Sequence, residues 1–268
     1  QAEDGIRDCL LSRGLGDVYK RQSQYKAVLQ ERINAVCKVV AQIKKNKDSI
    51  ILVHGAGSFG HLQAKKWSLQ NGFDEDIIEN QRKAVKSVRD DMIELNSYIL
   101  KSLNYYGIEG IPNPPSTWAN GLGPEFNGDI SFFNDENDNS IQITFGDVVD
   151  VHNEREFGIL SGDDLMVRIC KEIPDVTHCI FLLGDTEGLL SKPPNEEGSE
   201  LITIWSKEQE ISGKHEENQD VTGGIFLKAE SASEISQRVE HVWMIDGRKP
   251  ERILELLQTG NTIGTKVI

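Results

Sequence analysis

No stretch of this 268-residue chain is apolar for the length of a bilayer, and only 38% of its residues are hydrophobic, so no segment is expected to cross a membrane as a helix. Basic residues are the minority, with 29 Lys and Arg against 43 Asp and Glu and a net charge of −14. Such a field repels nucleic acid and anionic membranes, and neither is expected as a partner. Any anionic substrate has to be gathered locally by amides, lysines or a metal ion. Cysteine is scarce: Cys9, Cys37, Cys170 and Cys179 are widely spaced with no C-x-x-C. A zinc site and a disulfide framework are therefore not expected, no protein-held metal is assigned, and the expected setting is reducing and cytoplasmic. Nothing reads G-x-x-x-x-G-K-[ST], which removes the Walker A loop.

What the chain does have is Ser49-Ile-Ile-Leu-Val-His-Gly-Ala-Gly-Ser-Phe-Gly-His61. Ile50 to Val53 form a short, largely β-branched run suited to a buried parallel strand, and Gly55, Gly57 and Gly60 free the backbone at its carboxyl end. The amides of such a turn can converge on an anion, helped by the amino terminus of the helix that follows. Gly55 to Gly60 also spells G-x-G-x-x-G, but a dinucleotide fold needs a second strand ending in an acid about 20 residues on. Here the chain is polar and helical from Gln63 to Leu103 instead. His61, at the start of the helix, is placed to donate to a phosphate oxygen; the alternative is a histidine that caps or packs.

Residues 1–22 hold no sustained period and resemble the translation of a sequencing-library adapter, so they are set apart from the fold as a leader. From Ser23 onward the expected organisation is one domain. Tyr25, Val28, Leu29, Ile33, Val36, Val39, Val40 and Ile43 mark the apolar face of a first helix, and Ile77 to Leu103 mark that of a second. Gly107 to Ile111 begins a strand, and the prolines of 112–115 make a loop carrying Trp118, which either walls an apolar pocket or covers the sheet. A polar turn over 134–140 between Ile130-Ser-Phe-Phe133 and Ile141-Gln-Ile-Thr-Phe145 predicts a hairpin. Strands are expected at His178 to Leu183, His241 to Ile245 and Thr262 to Ile268, and a helix at Pro250 to Gln258. Most of 195–220 is expected to be surface loop.

Four further stretches carry possible chemistry. Gly146-Asp147 and Gly162-Asp163-Asp164 put carboxylates at strand ends, where they can orient lysines or magnesium; alternatively Asp147 is a turn acid, and Asp163 or Asp164 a helix cap. Gly184-Asp185-Thr-Glu-Gly188 makes a turn suited to a nucleotide's sugar and phosphates. Asp220-Val-Thr222-Gly223-Gly224 with Lys228 offers a hydroxyl, amides and a charge at a helix start, or simply a capped helix.

With five such motifs in this order, the chain resembles the amino-acid-kinase superfamily and, within it, the isopentenyl phosphate kinases, over roughly Ser23 to Ile268. The resemblance implies an α/β fold, a three-layer αβα sandwich around a mainly parallel sheet. The acceptor-binding part is expected over about 23–170 and the nucleotide-binding part over about 171–268. It implies transfer of the γ-phosphoryl of ATP, with Mg2+, to isopentenyl monophosphate, in a homodimer. Gly55, Ala56, Gly57, His61 and Gly162 are then the acceptor-binding residues, and His61, Asp163 and Lys228 the catalytic ones. Gly57, Asp185, Gly188, Thr222, Gly223 and Lys228 line the nucleotide site. Related readings are a fosfomycin kinase or a nucleotide-binding protein without catalysis. The family opens on a strand bearing Lys-x-Gly-Gly-Ser, which is not found before Ser23. The expectation is a shortened gene product that lacks this first strand and is impaired in catalysis.

Overall fold

The computed structural model describes residues 28–46, 49–134, 139–208 and 223–268. The leader 1–22, Tyr25, Thr222 and residues 209–220 of the expected surface loop lie outside the described residues. Helix α1, Gln30–Lys44, buries the predicted stripe of Ile33, Val36, Val39, Val40 and Ile43. Strand β1, Ile51–His54, leads through a two-residue turn into α2, Gly57–Lys66. The long α3, Ile78–Tyr105, follows, with Val85, Val88, Met92, Leu95, Ile99 and Leu103 inward at helical spacing.

Strands β2, Glu109–Pro112, and β3, Ser140–Phe145, complete a parallel sheet of order β1-β3-β2, with Ile51 opposite Gln142 and Glu109 opposite Ser140. Every residue of β3 is buried, as the central strand of a sheet covered on both faces must be. Strands β4, Asp147–Val151, and β5, Glu156–Leu160, pair as an antiparallel hairpin that delivers the chain to α4, Gly162–Glu172. A second sheet follows, of order β6-β8-β9-β7, from β6 (His178–Leu183), β7 (Ile204–Trp205), β8 (His241–Asp246) and β9 (Thr265–Val267). Its only antiparallel pairing is β8 with β9. Helix α5, Gly223–Ser236, and helix α6, Arg252–Thr259, precede and follow β8.

The helices sort into two layers. On one side α1 packs on α3 and α6; on the other α4 packs on α5, with the sheets between. The result is the three-layer α/β architecture expected from alternating strands and helices.

The expected hairpin at 130–145 is not formed. Ser131–Asn134 is a 3-10 turn, and β3 pairs in parallel with β1 and β2. The physical reason lies in Trp118, whose ring takes Phe126, Phe132 and Phe133 edge-on at centroid distances of 5.7, 5.3 and 5.8 Å. Neighbouring Phe132 and Phe133 both enter this cluster, which an extended strand with alternating faces does not allow. The antiparallel hairpin of this region is β4 with β5, one element later.

Candidate active site

The carboxyl end of β1 is where three elements meet. Gly57 turns the backbone through φ +54°, a left-handed conformation that glycine adopts without the strain of a Cβ, and α2 starts there. Gly146, just past β3, donates its N–H to the His54 carbonyl at 3.0 Å. A Cβ on Gly162 would lie 3.5 Å from Val53 Cγ1 and 3.7 Å from the His54 oxygen, so the first residue of α4 touches the same peptide. Two helix amino termini therefore flank one strand end, each with a partial positive charge. A strand end flanked in this way can hold an anion on backbone groups, and Gly55, Ala56, Gly57 and Gly162, singled out in the sequence, meet there. His61 stands half-buried on α2, one turn beyond Gly57.

The third glycine of the motif has a different task. A Cβ on Gly60 would meet Ala56 Cβ at 2.7 Å and Met92 Sδ at 3.5 Å. Its absence lets α2 fold back over the turn and settle on α3. Met92 is thus fully buried behind α2, while Ile93 is 54% exposed on a different face of α3.

A reciprocal capping box sets the start of α4. Asp164 N–H donates to Ser161 Oγ at 3.0 Å, and Asp164 Oδ2 accepts from the Ser161 hydroxyl at 2.7 Å and amide at 3.3 Å. The cap is Ser161, rather than Asp163 or Asp164 as the alternative sequence reading had it. Asp163 takes no part in it and instead meets Lys228 Nζ of α5 at 3.1 Å. The lysine side chain is 0% exposed and the carboxylate 14%. An ammonium withdrawn from water this fully has to be paired, and removing the partner would leave a costly isolated charge. The pair joins the motif that ends at Lys228 to the one at the start of α4, 65 positions apart in the chain.

Asp147 serves the site at one remove. It is buried, accepts N–H bonds from Ser116 at 3.1 Å and Val148 at 2.8 Å, and so ties the Pro115–Thr117 turn to the sheet. Burial pushes its pKa up, opposed by those bonds.

At the ends of β6 and β8 the structure gathers charge. Asp185 is exposed and Gly188 is buried. A Cβ on Gly188 would sit 2.5 Å from Thr265 Oγ1 and 2.9 Å from Thr265 N, so that face of the glycine is pressed against β9. Glu187 accepts from Arg252 at 2.8 Å and Lys249 at 3.2 Å, which holds its carboxyl below the usual range, Arg252 contributing most. Asp246, fully buried at the end of β8, is gripped by Arg248 through Nε at 2.8 Å and Nη2 at 2.8 Å, a bidentate arrangement with geometric specificity. That grip raises the Arg248 pKa, with smaller contributions from Asp185 and Glu187. Asp246 and Arg248 are not among the residues singled out in the sequence; the signal available was an acid and an arginine two positions apart at a strand end. Gly223 is the first residue of α5. Among the described residues, no group of three His, Cys, Asp or Glu side chains is placed to hold a metal.

A family model for the amino acid kinase family matches residues 23–246. The chain belongs to that family. It is 29% identical to isopentenyl phosphate kinase of Thermoplasma acidophilum over 242 residues, which cover 89% of this chain and 91% of the relative. It is 28% identical to acetylglutamate kinase of Clostridioides difficile, over 82% and 79% of the two chains. The solved product complex of the T. acidophilum isopentenyl phosphate kinase superposes with a TM-score of 0.74 at 25% identity, covering 92% of this chain and 94% of that one. Another isopentenyl phosphate kinase structure, at 19% identity, gives 0.78 over 97% of both, and attests to the fold.

Proposed function

We propose that the protein transfers the γ-phosphoryl group of ATP to isopentenyl monophosphate, giving the diphosphate. The observation that carries this reading is the Lys228–Asp163 pair, at 3.1 Å, whose aspartate follows the residue of α4 that packs on the carboxyl end of β1. The names of relatives matched across most of the chain support it.

The acceptor is itself a phosphate monoester, already nucleophilic, so no strong base is needed. The difficulty is to hold two anions in line against their repulsion. On this reading the amides of Gly55, Ala56, Gly57 and Gly162 and the start of α2 bind the acceptor phosphate. His61 donates to it, Lys228 neutralises charge on the group in flight, and Asp163 orients the lysine. Asp185, Gly188, Thr222 and Gly223 belong to the ATP side, with the packing of Gly188 on β9 holding the turn in place. Magnesium would arrive on the nucleotide's phosphates, where it shields the transferring charge, in keeping with an ion that seldom uses all-protein cages. We assign residues 23–170 to acceptor binding and 171–268 to nucleotide binding, and infer a cytoplasmic homodimer, for which light scattering after size exclusion is the check.

The test is ADP release from magnesium-ATP with isopentenyl monophosphate, the product identified by phosphorus NMR. It is run on the chain and on a version carrying a Lys-x-Gly-Gly-Ser strand in place of residues 1–22. Diphosphate formation that His61→Ala abolishes supports the assignment. Turnover of fosfomycin or N-acetylglutamate in its place, or ATP binding with no acceptor turned over in either version, overturns it.

A further inference from the structure

His54 has no part in the reading above, yet it is the residue most constrained at the site. Its side chain is fully buried at the last position of β1, and its ring lies on Phe145 at a centroid distance of 4.8 Å. Nδ1 stands 3.0 Å from the carbonyl oxygen of Gly55. A carbonyl can only accept, so Nδ1 carries the proton and Nε2 of the neutral ring is an acceptor. Nε2 is buried without a partner, and so is Oδ1 of Asn96, the α3 side chain that interacts with the ring. Turning the Asn96 amide so that its NH2 faces Nε2 resolves the ring's unmet acceptor, and the two amide orientations have the same shape. Burial keeps the ring uncharged, with a pKa lowered to about 4.

We propose that His54 is a positioning residue for the anion-binding turn, holding the Gly55 carbonyl inward so that the Ala56 N–H points outward to the phosphate. The peptide bond is planar and trans, so the C=O and N–H of one unit point in opposite directions. Fixing the Gly55 oxygen on the buried ring therefore fixes the Ala56 amide on the opposite side. That amide has no acceptor among the described residues, which suits a donor kept for a ligand. Asn96 anchors the ring in turn to α3, the helix on which α2 packs through Gly60. The inference rests on the proposed function only in taking the ligand of the turn to be a phosphate.

Calorimetric titration of the full chain with inorganic phosphate and with isopentenyl monophosphate tests it, alongside His54→Leu and His54→Asn. Asparagine places an NH2 near the position of Nδ1–H; leucine fills space with no donor. His54→Leu should weaken both anions about 10-fold or more, the scale of a lost hydrogen bond to a charged group, and His54→Asn should stay within about threefold of the parent. Equal affinity of the leucine variant and the parent, or an asparagine variant as weak as the leucine one, overturns the assignment. A parent that binds phosphate but not isopentenyl monophosphate refutes the acceptor reading and leaves the role of His54 supported; a parent that binds neither refutes both. Should the leucine variant not fold, nitrogen-15 NMR of the parent's imidazole decides. A neutral ring protonated at Nδ1 supports the proposal, and one protonated at Nε2 overturns it.

Discussion

The two candidate ligand-binding strand ends are built from opposite materials. After β1 lie backbone amides and a buried imidazole held neutral by its burial, and the ion pair Lys228–Asp163 arrives from other elements. After β6 and β8 charged side chains gather instead: Asp185, Glu187, Asp246, Arg248, Lys249 and Arg252. Fixed dipoles do not reorganise when charge moves, so they suit the end where a phosphoryl group would be received. Paired side chains that are exposed are screened by salt and each contribute little, so single changes among them should cost less.

The largest effects should come from the pair that bridges the two materials. Asp163→Ala leaves the fully buried ammonium of Lys228 unpaired, and should cost about 3–5 kcal/mol in denaturant unfolding. Lys228→Met removes the charge itself, and the 14% exposed carboxylate left behind can be hydrated. Its stability cost should be smaller, yet phosphoryl transfer should fall by about 100-fold or more in single-turnover assays. A Lys228→Met enzyme with near-parental rate would break the comparison.

Next comes the backbone. Gly60→Val must displace Ala56 or α3, because even a Cβ lies 2.7 Å from the Ala56 methyl. A loss of about 1–3 kcal/mol is expected from thermal unfolding. The ionic turn should be more forgiving where both partners are exposed: Lys249 and Glu187 are 48% and 43% exposed and Glu187 keeps Arg252, so Lys249→Met should cost under about 1 kcal/mol.

A further effect is one of pH. His54 has a folded pKa of about 4, below its ordinary value of 6.5. Between those values the unfolded chain binds the extra proton, so stability is fully present above about pH 6.5 and falls as pH drops toward 4, by up to about 1.4 kcal/mol per pH unit. His54→Asn should flatten that part of the curve in unfolding measured from pH 7 to pH 4.

Much of this was legible in the chain. The glycine turn, the strands at His178 and His241 and the helical stripes of Ile33 or Met92 follow from local periodicity, and the structure bears them out. Asp163 and Lys228 were each readable as motif residues, but their pairing depends on α4 and α5 sharing a layer, which no local spacing encodes. The hairpin at 130–145 failed because aromatic packing around Trp118 outweighed a turn signal. His54 looked like the polar end of an apolar run; its meaning lies in a single bond back to the next carbonyl, visible only once the ring is placed.

A site made of amides has an uneven mutational signature. No codon change removes a peptide N–H other than one to proline, so Ala56 should tolerate other small residues with little loss of binding. Gly60 should tolerate almost none, since its missing side chain is what lets α2 lie across Ala56. A saturation survey scored by activity would rank Gly60 among the reacting groups, although it touches only its own neighbours.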